Sequence, residues 1–207
     1  MNMKTCKLLF QGDSITDADR VRENPLDLGT GYPYYAAQLL RAQHPDVDCR
    51  VWTRGIGCDE TQHLLARIEP DLIALQPDVV SLLIGINDTW HHADARDWMP
   101  LSVFEARYRQ VLERIRNETK AKLMVIEQYL FPVPDKTYFA EDLAPKQACV
   151  RALAKEYADV FLPAHELTQQ AAAARGSDTF TADGVHLNET GARWLAETYA
   201  KAIAPLL

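Results

Sequence analysis

Short apolar runs recur along the chain, and between them apolar residues return every three or four positions. Leu8-Leu9-Phe10, Arg50-Val51-Trp52-Thr53, Val79 to Ile84, Leu123 to Ile126 and Val160-Phe161-Leu162 predict five strands. The run 79–84 is nearly continuous, as in a parallel strand covered on both faces. Helices are predicted over 32–43, 61–69, 102–118 and 142–157, with a last pair at 165–174 and 189–203. Pro33 suits the first turn of the 32–43 helix, and His44-Pro45 lies beyond its end. The 102–118 helix is the clearest, with Val103, Ala106, Val111, Leu112 and Ile115 spaced among Glu and Arg. Residues 17–30, 55–59, 85–88 and 176–187 read as loops, punctuated by Gly and Pro or by polar residues. Strands alternating with helices give an α/β protein with an open five-stranded parallel sheet covered on both sides. By analogy with flavodoxin-like three-layer sandwiches, the expected strand order is 2-1-3-4-5. Right-handed crossovers then put every strand-to-helix loop at one edge of the sheet. No repeat or linker interrupts residues 1–207, so one domain is expected.

Composition narrows the partners. Hydrophobic residues make up 47% of the 207 and charged residues 25%, as in ordinary globular proteins. A formal net charge of −7 disfavours nucleic acid and anionic membrane. No apolar run reaches the ~18 residues of a membrane span, and the first residues lack a signal-peptide pattern. A cytoplasmic location is therefore expected. Cys6, Cys49, Cys58 and Cys149 lie far apart and form no CxxC pair, which fits reduced thiols and no zinc. His91-His92-Ala93-Asp94 likewise lacks partners at metal-ligand spacing. Neither a metal nor another cofactor is expected.

Ligands of open α/β sheets bind outside the carboxyl ends of the strands. The loops there carry Gly12-Asp13-Ser14-Ile15-Thr16, then Gly57 and Cys58, then Asn87, and finally Asp183-Gly184-Val185-His186. Each alone has a plain structural reading: Ser14 or Asn87 as a cap, His186 as a surface histidine. Together they bring a nucleophile, a base, an orienting carboxylate and amide donors to one edge.

These four blocks, in this order, resemble those of the SGNH, or GDSL, hydrolases, whose fold is a flavodoxin-like α/β sandwich. The resemblance implies Ser14 as nucleophile, His186 as its base and Asp183 as the group that orients the imidazole. It implies an oxyanion hole made of the Ser14 N–H, the Asn87 side chain and a backbone N–H from Gly57 or Cys58. Two positions depart from the family pattern. Cys58 stands where a glycine is common, and Thr53 replaces the asparagine that usually opens this loop. Residues 12–20, 29–32 and 85–90 further resemble intracellular carbohydrate acetylesterases acting on xylo-oligosaccharides. That branch implies a small acetylated sugar as substrate, no metal, and a homo-oligomer. Asp13, Trp90 and His91 are the candidate substrate contacts, Trp90 because sugars stack on aromatic faces. The competing enzymatic readings are a short-chain acyl esterase, a thioesterase or a lysophospholipase. From other classes come a flavodoxin-like carrier, which Asp13 and Asp17 disfavour by repelling phosphate, and a non-catalytic carbohydrate-binding protein.

Overall fold

The computed structural model describes residues 4–207. Five parallel strands stand in the order β2-β1-β3-β4-β5: β1 (Lys4–Gly12), β2 (Val47–Gly55), β3 (Val79–Leu83), β4 (Lys122–Ile126) and β5 (Val160–Leu162). The order matches the expected 2-1-3-4-5 arrangement. Eight α-helices accompany them: α1 (Ser14–Asp17), α2 (Tyr32–Gln43), α3 (Thr61–Asp71), α4 (Asn87–Ala93), α5 (Leu101–Glu118), α6 (Ala140–Tyr157), α7 (Ala164–Arg175) and α8 (Glu189–Ile203). Among the described residues, no helix is long and apolar enough to cross a membrane.

The period-two direction of strand side chains splits the core between the two faces of the sheet. Leu8, Phe10, Val79, Leu83, Met124 and Ile126 pack with α2 and α8 on one face. Leu9, Val80, Leu82, Leu123 and Val125 pack with α3, α5 and α6 on the other. Ser81, the single polar residue of β3, is fully buried because its hydroxyl pairs with Tyr199 of α8 at 2.6 Å.

α8 lies close to α2 because Ala192, Ala196 and Ala200 face the sheet beside Leu195, Tyr199 and Ile203, while α2 offers Ala36 and Ala37. In α5 the buried stripe is Phe104, Tyr108, Val111, Leu112 and Ile115. Val103 was expected on that stripe and is instead exposed. The two large aromatic rings fix the helix's rotation, each removing more apolar surface from water than a valine can.

Two further differences have physical causes. β1 and β2 run nine residues each, longer than their apolar runs suggested. β2 is an edge strand: Cys49, Val51, Thr53 and Gly55 face inward and alternate with Asp48, Arg50, Trp52 and Arg54. Residues 87–93 form a helix where none was predicted, because three of the four buried members, Asn87, Asp88 and Thr89, are polar and only Ala93 is apolar.

Candidate active site

Ser14 opens α1 directly after β1, on a turn that needs Gly12. A Cβ at Gly12 would lie 2.3 Å from the Leu83 carbonyl oxygen and 2.5 Å from Thr16 Oγ1. The close approach sets Ser14 beside the carboxyl end of β3, where Asn87 begins α4. Asp13 caps the turn, its Oδ1 accepting the Ile15 N–H at 3.0 Å. The carboxyl is fully enclosed, and burial pushes its pKa up to about 7. This corrects the expectation of Asp13 as a substrate contact: its side chain is spent on the backbone of the turn and meets no solvent.

The Ser14 hydroxyl lies 2.8 Å from His186 Nε2, and His186 Nδ1 lies 2.6 Å from Asp183 Oδ2. The three groups share one line of hydrogen bonds across a separation of 172 residues in sequence. The carboxyl-terminal loop holds itself together locally. Asp183 Oδ1 accepts the N–H groups of Val185 at 2.9 Å and His186 at 2.8 Å. Thr181 Oγ1 donates to the His186 carbonyl at 2.7 Å and accepts the Gly184 N–H at 3.0 Å. Gly184 takes φ +87°, a conformation that favours glycine.

Burial alone would raise the Asp183 pKa. The His186 bond and the two amide bonds overcome it and hold the carboxyl well below its ordinary range. The same bond to Asp183 raises the imidazole above its ordinary value, against partial desolvation and with a smaller push from the Asp13 charge. With Nδ1–H donated to Asp183, the Nε2 lone pair faces the Ser14 hydroxyl, the tautomer the network selects.

The amide donors are less symmetric than the sequence suggested. Asn87 donates one Nδ2–H to the Asp59 carbonyl at 3.0 Å, leaving the other. The Gly57 N–H is taken by Asp17 Oδ2 at 3.0 Å. Among the described residues no acceptor takes the N–H of Ser14 or of Cys58; Cys58 is exposed with φ +69°. Around Asn87, Asp88 accepts Thr61 Oγ1 at 2.6 Å and the Thr61 N–H at 3.0 Å. Lys146, fully buried, donates to the Asp88 carbonyl at 2.6 Å and pairs with Asp142. Neither bond was foreseen, because nothing local marks a lysine in a helix as buried.

A cleft of about 690 Å³ is lined by Ser14, Gly57 and His186 together with Tyr35 and residues 187–189. Asp19 and Arg22 stand at its polar rim. Trp90 and His91 do not line it. The Trp90 ring packs 5.6 Å from the His186 ring and edge-on to Phe139, with Lys136 Nζ 5.0 Å from its centre. His91 Nδ1 lies 2.9 Å from Glu60 Oε1 and His92 Nδ1 3.3 Å from Asp97, so the two histidines are engaged with separate carboxylates. Trp90 packs beside the imidazole, and His91 turns to Glu60 at the start of α3.

The chain matches the GDSL-like Lipase/Acylhydrolase family over residues 10–194. An acetylxylan esterase of Geobacillus stearothermophilus is 42% identical over 118 residues, 55% of this chain and 54% of that protein, so the match spans about half the relative's length. A crystal structure of Axe2, an acetylxylan esterase from the same organism, superposes with a TM-score of 0.88 at 29% identity, covering 98% of this chain and 96% of the other. A protein from Parabacteroides merdae described as a GDSL-like lipase superposes at 0.90 with 27% identity, over 100% of this chain and 99% of that one. A Ser-His-Asp line, assembled from the first and last blocks of a five-stranded parallel sheet and lying within the matched residues, accords with that assignment: the chain belongs to the GDSL-like lipase/acylhydrolase family.

Proposed function

We propose that this protein is a serine carboxylic-ester hydrolase that removes acetyl groups from acetylated xylo-oligosaccharides through an acyl-enzyme on Ser14. The observation that carries the reading is the continuous bond line from Ser14 Oγ through His186 to Asp183. His186 Nε2 takes the hydroxyl proton as Oγ attacks the acetyl carbonyl, and the imidazolium is stabilised by the Asp183 charge. The carbonyl oxygen, now negative, is met by the Ser14 N–H, the free Asn87 Nδ2–H and an amide of the 57–58 loop. Each such donor is worth about 2.7–4 kcal/mol in the transition state. His186 returns the proton to the departing sugar oxygen, which leaves as a hydroxyl, then activates water to release acetate.

Axe2 supports the roles, since its structures include forms described as catalytic mutants in which a serine, an aspartate or a histidine becomes alanine. That aspartate and histidine stand three residues apart, as Asp183 and His186 do. A related structure is described as an acetyl-xylooligosaccharide esterase. The same reading takes the chain as one domain, working in the cytoplasm as a homo-oligomer without metal or cofactor.

The test is acetate release from acetylated xylobiose, with Ser14→Ala as the blank. Release by wild type alone is expected. Equal release by both proteins would remove Ser14 from the mechanism, and no release would move the substrate to another acyl ester.

A further inference from the structure

The loop that contributes the third amide to the site is held from outside itself, by the polar segment that follows Ser14. Asp17, the last residue of α1, is almost wholly buried, and its Oδ2 accepts the Gly57 N–H at 3.0 Å. Arg22 bonds the same oxygen, and Arg20 Nε lies 3.4 Å from the other. Arg20 also reaches across to the loop, donating through Nη2 to the Gly55 carbonyl at 2.9 Å. Thr53 Oγ1 donates to the Thr16 carbonyl at 3.1 Å. Gly55 packs so closely on α1 that a Cβ there would lie 2.3 Å from the Asp17 nitrogen. The two segments are therefore bonded along their length.

Backbone strain collects at the same place. Five non-glycine residues among those described have positive φ, and three of them, Ala18 (+41°), Asp19 (+60°) and Cys58 (+69°), flank the Asp17–Gly57 bond. Such conformations are disfavoured for L-residues and persist where surrounding contacts impose them. On one side the turn at 18–19 brings Arg20 and Arg22 back onto Asp17. On the other, the left-handed Cys58 follows the amide that Asp17 has fixed.

We propose that Asp17 is a positioning residue for the oxyanion hole: by engaging the Gly57 amide it leaves the Cys58 N–H as the loop's donor and fixes where that donor points. The inference rests on the esterase reading above. A carboxylate aimed into the hole itself would repel the developing oxyanion. Here both oxygens of Asp17 face cations or an amide, so the charge is shielded before acyl chemistry begins. Thr53 ties the loop to α1 through a side-chain bond of its own.

Two measurements test this. In wild-type protein, backbone amide exchange followed by nuclear magnetic resonance should show Gly57 N–H protected and Cys58 N–H open. Phenylboronic acid then serves as a tetrahedral mimic: Ser14 Oγ bonds to boron, which becomes an anionic boronate, and the hydroxyl proton passes to His186. The amide protons of Ser14 and Cys58 should move downfield, while Gly57 stays protected and unshifted. If Ser14 responds but Gly57 moves in place of Cys58, the assignment of Asp17 is overturned and the esterase reading stands. If Ser14 does not respond either, the esterase reading itself fails.

In steady-state kinetics, Asp17→Ala should lower kcat about 10- to 100-fold with KM within about twofold, the pattern of a donor displaced only in the transition state. Asp17→Asn, which keeps an oxygen for the Gly57 amide, should recover most of the loss. A kcat for Asp17→Ala within about threefold of wild type, or equal losses in the two variants, would contradict the proposal. Should Asp17→Ala not fold, the exchange and boronate experiment on wild type decides alone.

Discussion

The two loops that complete the site from either side of Ser14 are built in opposite ways. The loop at 181–187 sets its catalytic side chains mainly through bonds within itself, while the Phe131 N–H and the Tyr129 hydroxyl hold its Gly184 and Val185 carbonyls. Asp183 accepts amides two and three residues ahead, Thr181 reaches forward to Gly184 and His186, and Gly184 supplies the left-handed turn. The loop at 53–59 takes its shape from elsewhere. Asp17 holds its Gly57 amide, Arg20 its Gly55 carbonyl, and Arg67 of α3 reaches Arg54, Asp59 and the Gly12 carbonyl. A base must keep one tautomer and one orientation, which three neighbouring residues can secure. An oxyanion donor must sit at a fixed distance from a serine on another strand, which only contacts between segments can secure.

Breaking the local loop has the largest expected effect. Asp183→Asn should lower kcat about 10⁴-fold by allowing the wrong imidazole tautomer, with KM little changed. Steady-state acetate release checks it, and a loss below about tenfold would mean that other groups orient His186. Breaking the assembled half costs less. Asn87→Ala should reduce kcat about 10²- to 10³-fold, because two amide donors remain.

The third prediction separates the halves by pH. His186 must be neutral to accept the serine proton, and its bond to Asp183 raises its pKa above the ordinary 6.5. The acidic limb of kcat/KM should therefore have its midpoint above 6.5, with activity rising as pH increases through it. In Asp183→Asn the midpoint should fall, because the charge that stabilised the imidazolium is gone; in Asn87→Ala it should stay. A shift shared by both variants would mean that the two halves are electrostatically one.

The smallest effect concerns the helix that follows the base. Asn188 caps α8 by accepting the Gly191 N–H at 2.9 Å. Asn188→Ala should cost about 1 kcal/mol of stability by denaturant unfolding, with kcat within about twofold.

The contrast between the loops also explains what could be read from the residues. The five strands follow from apolar periodicity, a local property, whereas their order was expected by analogy and the roles of Ser14, Asn87, Asp183 and His186 from the resemblance of short motifs to the SGNH hydrolases. The 2-1-3-4-5 sheet then brings the motifs to one edge. Nothing local indicated that Asp13 would turn inward to cap α1, or that Trp90 would pack against the imidazole. The polar segment 17–30 looked like solvent-exposed loop, yet Asp17 and Arg20 are buried, since paired charges can be enclosed where single ones cannot. The roles of Asp17, Arg67 and Lys146 depend on partners 40 to 58 residues away: the Gly57 N–H at 40, the Gly12 carbonyl at 55 and the Asp88 carbonyl at 58. Helix α4 was hidden for a related reason: Asn87, Asp88 and Thr89 dominate its buried face and are held by bonds to Asp59, Thr61 and Asp142, with Ala93 the one buried apolar residue.

The central claim is that acyl transfer passes through Ser14, and trapping the intermediate tests it most directly. Wild-type protein mixed with acetylated xylobiose, quenched in acid during turnover and digested, should yield the peptide containing Ser14 with one added acetyl group. Ser14→Ala should yield none and release no acetate. Acetate release without acetyl on the Ser14 peptide, continuing in Ser14→Ala, would contradict the account.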